Sequence, residues 1–64
     1  MRASDFWERM ETTFGRTYAR SWAEEQHLAA LGGRTVLEAM AEGEDTRAVW
    51  EAVCAHVRVP AHLR

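Results

Sequence analysis

Cys54, His56 and His62 fall close together near the C-terminus, and His27 stands further back. Thiol and imidazole groups bind zinc and build nucleophilic sites, so their spacing is the first thing to weigh. No paired CxxC unit and no matched Cys/His pairs occur, so no strong zinc pattern is present. On a helix Cys54 and His56 point about 200° apart and cannot easily share one ion. A Cys–His nucleophile needs a pocket and an activating partner, and a short chain leaves little room for either. Glu24 and Glu25 are helix neighbours that diverge, which suits a solvated face better than an acid–base pair. The expectation is no enzyme, no cofactor and no metal.

Two further segments carry binding signals. Gly32-Gly33-Arg34-Thr35 could hold an anion at a helix N-terminus, although it lacks the P-loop and dinucleotide spacings. Most double-glycine turns are simply turns. The stretch from Ala39 to Val49 has the outline of a helix-turn-helix, with Arg47 and Glu51 facing out from its second helix. Glu44 follows the turn glycine where an apolar residue is usual, and Glu42, Glu44 and Asp45 would face the phosphates. The net charge of −2 and the pI near 5.8 also disfavour a general polyanion binder.

The remaining chemistry is recognition of protein. Trp, Tyr and Arg dominate interaction hot spots, and the chain has three, one and eight of them. Phe6 and Trp7 are adjacent and compete for one small interior. Whichever stays outside could anchor a partner or a second copy. The expected contact residues are Trp7, Phe6, Arg34 and Arg47. The preferred reading is a non-enzymatic module that binds a protein partner or itself as a homodimer. The alternative is a helix-turn-helix-like DNA-binding accessory protein, read through Arg34 and Arg47.

These residues need helices to position them, because apolar positions recur at three, four and seven and no useful length alternates. Ser4 is the expected N-cap of a first helix carrying Phe6, Trp7, Met10 and Phe14, ended by Gly15. A second helix is expected from about Thr17 to Leu31, with Tyr18, Ala19, Trp22, Ala23, Leu28 and Leu31 on its apolar side. Glu24-Glu25-Gln26-His27 is either an exposed face or a break. One helix, irregular near Gln26 and closed by Gly32-Gly33, is the reading taken. Thr35 caps a third helix with Glu38 at the capping-box position, and Gly43 ends it. Asp45 caps a fourth, carrying Val49, Trp50, Val53, Cys54 and Val57 as far as Pro60. From about residue 60 the tail is expected to fray unless Leu63 docks.

Residues 1–64 therefore read as one all-α domain, a small orthogonal bundle of three or four short helices joined by short links. Its expected core is Phe6, Met10, Phe14, Trp22, Leu31, Leu37, Met40, Val49, Trp50 and Val53. A chain of this size buries only about 60% of its unfolded surface, so large rings matter. One cysteine permits no intrachain disulfide and fits a reducing compartment. No apolar leader or membrane-length run is present, so a cytoplasmic protein is expected, with no membrane partner. Lys, Ile and Asn are absent, which suits a GC-rich genome and explains the arginine excess without invoking function.

The residues also match a known pattern. Asp5-Phe6-Trp7-x-Arg9-Met10, Phe14-Gly15-x-x-Tyr18-Ala19, Ser21-Trp22-Ala23, Leu28-x-x-Leu31-Gly32-Gly33-Arg34-Thr35, Glu38-Ala39, Val49-Trp50-x-Ala52-Val53-Cys54 and Val59-Pro60 follow in order. This series resembles a family of short actinobacterial proteins known as a domain of unknown function. The resemblance spans nearly the whole chain. It implies a stand-alone cytoplasmic protein and supplies no activity and no catalytic residues. Members tend to be encoded near the homologous-recombination recombinase and its regulator. That implies at most an accessory role in recombination or repair.

Overall fold

Phe6 and Met10 lie one turn apart, and both are completely buried. They belong to α1 (Ala3–Phe14), the first element of a computed structural model that describes residues 1–63. α1 starts earlier than its sequence signal. Arg2 is the N-cap, with no side-chain cap bond, and Ser4 lies inside the helix. A long-range contact explains the shift. The Thr46 hydroxyl donates to the Met1 carbonyl, which ties the first residue to α4. The chain is already in place when it turns helical, and the Phe6 N–H bonds to the Arg2 carbonyl at 3.0 Å.

Gly15 alone separates α1 from α2 (Arg16–Glu25). Its N–H closes α1 on the Glu11 carbonyl at 2.8 Å, and its own carbonyl accepts from Ala19 at 3.0 Å. α2 buries Ala19, Trp22 and Ala23. It stops at Glu25, so the expected helix to Leu31 is corrected to a helix and a break. Gln26 turns extended, and β1 (His27–Leu28) then pairs antiparallel with β2 (Arg34–Thr35). His27 lies opposite Thr35 and Leu28 opposite Arg34. Between the strands runs a single 3₁₀ turn, Ala29–Leu31. Leu28 and Leu31, three apart, are buried in this arrangement as they would be on a helix. Periodicity alone therefore could not separate the two.

Two glycines make the reversals possible. Gly32 is left-handed at φ +67°. Its N–H reaches the Ala29 carbonyl at 3.0 Å, while Gly33 N–H reaches Leu28 at 2.9 Å. Gly43, at φ +88°, repeats the arrangement after α3 (Val36–Ala41), with Gly43 N–H on Met40 at 3.1 Å and Glu44 N–H on Ala39 at 3.0 Å. These paired bonds are the Schellman pattern, which satisfies the last helix carbonyls and favours glycine. α3 starts at the expected capping box. Glu38 N–H donates to Thr35 Oγ1 at 3.1 Å, and Thr35 N–H donates to Glu38 Oε1 at 2.8 Å.

α4 (Thr46–His56) supplies the largest core ring. Trp50 is 1% exposed and meets Phe6 edge-on at 6.1 Å between centroids. Asp45 is its N-cap by position, without a side-chain cap bond. The helix ends before the expected Pro60 stop, because Val57 turns extended and Val59 is drawn into the core. A 3₁₀ turn follows over Ala61–Leu63. Leu63 docks, its carbonyl accepting the Trp50 indole N–H at 3.1 Å.

The described residues are thus mostly helical, with four α-helices and a small two-stranded sheet, so the all-α reading is corrected by that sheet. Phe6, Met10, Trp22, Leu31, Val49, Trp50 and Val53 are buried as expected. Phe14, Leu37 and Met40 are only partly buried at its margin. Four alanines (19, 23, 39 and 52) join the core instead. Small side chains let neighbouring helices approach closely. Among the described residues, no helix is long and apolar enough to cross a membrane.

Candidate functional site

α4 carries its apolar residues inward and leaves a stripe facing out. Arg47, Trp50, Glu51, Cys54 and Ala55 recur at steps of three and four and line a shallow groove of about 320 Å³. Trp50 lies beneath it, 1% exposed, so the open lining is Arg47, Glu51, Cys54 and Ala55. Arg47 and Glu51 are exposed on the rim, one turn apart. The ion pairs among the described residues are Arg20–Glu24, Arg34–Glu42 and Arg34–Glu44, so neither rim charge has a partner there. A smaller hollow of about 190 Å³, lined by Ala29, Ala30, Ala52, Ala55 and His56, lies on the other side of Ala55. The two hollows share Ala55 in their linings.

The expected contact residues part company here. Phe6 is fully buried, which removes it as a surface contact. Trp7 is the one left partly outside, its ring meeting Phe6 edge-on at 5.3 Å. The Arg20 guanidinium covers Trp7 at 5.4 Å, close enough for a cation–π contact. Tyr18, 51% exposed, is the most open large ring.

Arg34 is occupied. Its Nη1 and Nη2 donate to Glu42 and Glu44, each at 2.7 Å, and its Nε donates to the Leu31 carbonyl at 2.8 Å. The two carboxylates, Glu44 before Glu42, raise the Arg34 pKa above its ordinary value. An anion at Gly32-Gly33-Arg34 would have to displace them. Nearby, the Thr35 backbone N–H holds the Glu38 carboxyl below its ordinary value, against an opposing push from burial. The sequence reading missed Glu42 and Glu44 as partners of Arg34. They lie eight and ten residues on, beyond any local pairing rule, and only the α3 turn brings them back.

The α3–turn–α4 corner has helix-turn-helix connectivity, yet its turn presents Glu42, Glu44 and Asp45, all exposed. Of the two arginines expected to read DNA, only Arg47 is open. The candidate metal residues are dispersed. His27 Nδ1 lies 2.7 Å from the Gly33 carbonyl, and His56 packs edge-on against Trp22 at 5.9 Å. Among the described residues, no three His, Cys, Asp or Glu side chains could hold one ion. Arg9 is a different irregularity. Its guanidinium lies 5.9 Å from the Trp50 ring centroid, with Nη1 buried and lacking a hydrogen-bond partner among the described residues.

No curated protein and no solved structure matches the chain significantly. Residues 1–62 match the family model described as a protein of unknown function, DUF3046. That match spans nearly the whole chain. The chain belongs to the DUF3046 family.

Proposed function

We propose that this protein is a non-enzymatic interaction module, cytoplasmic and of actinobacterial type, that binds a protein partner or a second copy of itself through the outward face of α4. The groove over Trp50, rimmed by Arg47 and Glu51, which have no ion-pair partner among the described residues, carries this reading. A small, partly apolar base inside a polar, charged rim is the usual anatomy of a protein contact. Of the four residues expected from sequence, Arg47 lies at this groove. Trp7 offers a separate, smaller contact under Arg20.

Capture from the native organism with tagged wild type, R47E and W7A tests the reading. The expected result is that R47E loses bound protein and W7A keeps it. Capture unaffected by R47E overturns the α4 reading, and capture lost only with W7A moves the contact to α1. The DNA-binding alternative draws on the exposed Arg47 and the α3–α4 corner. It requires a mobility shift at low salt that weakens steeply as salt rises. With the acidic turn beside α4, no shift is expected.

A further inference from the structure

We infer that the occupant of the α4 groove is a second copy of this chain, its α4 lying antiparallel across a twofold axis near Trp50. This rests on the interaction reading above and names its partner. Charge order along α4 carries it. Along the stripe a positive residue, Arg47, precedes a negative one, Glu51, by one turn. A twofold axis perpendicular to α4 reverses that order in the facing helix. With the axis level with Trp50, Arg47 comes within about 3 Å, measured along the helix, of the partner's Glu51. The same pair forms again on the other side, as an isologous contact requires. Two ion pairs then bracket the groove. Ala55 is exposed in the groove and small enough to let the two backbones approach. Association also offsets the marginal core of a short chain without a disulfide.

Sedimentation equilibrium of the full chain from about 10 µM to about 1 mM tests the pairing. The expected result is a monomer–dimer equilibrium. R47E and E51R alone, each folded by circular dichroism, should weaken it about tenfold or more, because like charges then meet twice. The double swap R47E/E51R should restore it. Mixing the two single variants should give a heterodimer that neither forms alone, since opposite charges again face each other. A chain monomeric at every concentration overturns the proposal. So does a dimer insensitive to R47E, or a mixture that stays monomeric while the wild type pairs. If the chain is monomeric yet R47E still loses a different captured protein, self-pairing falls and the interaction reading stands.

Discussion

The α1–α2–α4 region and the β1–β2–α3 corner share one core, to which the corner gives Leu28, Leu31, Val36 and Ala39, but they differ in what else holds them. In the first, rings pack on rings: Phe6 on Trp50, Phe6 on Trp7, and Phe14 stacked on Trp22 at 4.3 Å. In the second, polar groups close the chain: the Thr35–Glu38 box, the Arg34–Glu42–Glu44 clamp and two glycine reversals. Ring burial is worth several kcal/mol per residue, whereas caps and exposed ion pairs contribute about 1 kcal/mol or less each. The aromatic region should therefore set whether the chain folds at all. The polar corner should set how α3 and its turn are held beside α4.

Substitutions can break that comparison in descending order of effect. Trp50→Ala removes the largest buried ring, with an expected cost of about 3–5 kcal/mol. A domain of this size has little stability in reserve, so loss of helical circular dichroism at ambient temperature is the expected outcome. Gly43→Ala meets no neighbouring atom, so its cost is backbone strain alone at φ +88°. A loss of about 1–2 kcal/mol in urea denaturation is expected, with an unchanged m-value. Thr35→Ala removes the cap acceptor and should cost about 1 kcal/mol. If Thr35→Ala proved as damaging as Trp50→Ala, the division of labour would be wrong.

The smallest effect is a pH dependence. In the folded chain the Glu38 carboxyl is held below its ordinary value of 4.5 by the Thr35 N–H. A depressed acid contributes stability that is present above its unfolded value and is lost as pH falls through the folded one. Glu38→Gln can still accept the capping bond, so stability at neutral pH should barely change. The decline below pH 4.5 should become shallower, as followed by thermal melts across the acid range. An identical acid slope in both proteins would remove Glu38 from the account.

Local signals were the most legible. The capping box at Thr35 and the glycine stops were readable because their bonds span a few residues. So were the buried Trp22 and Trp50, which lie on consistent apolar faces. The break at Gln26 was not readable, because a 3₁₀ turn and a helix both bury Leu28 and Leu31. Ser4 lost its capping role to a contact between residues 1 and 46. At the site, the competition between Phe6 and Trp7 was visible in their adjacency, and packing decided it in favour of Phe6. Arg34 looked available because its acidic partners are distant in sequence. The α4 groove was half visible, through Arg47, while Ala55 and Cys54 gave no signal beyond helical spacing.

The central claim is that α4 pairs with a second copy of the chain through its outward face. Amide NMR spectra recorded on dilution from about 1 mM to about 10 µM test it most directly. The account predicts shifts confined to the signals of Arg47, Glu51, Ala55 and their neighbours. Shifts centred on Trp7 and Tyr18, or spectra that do not change, would contradict it.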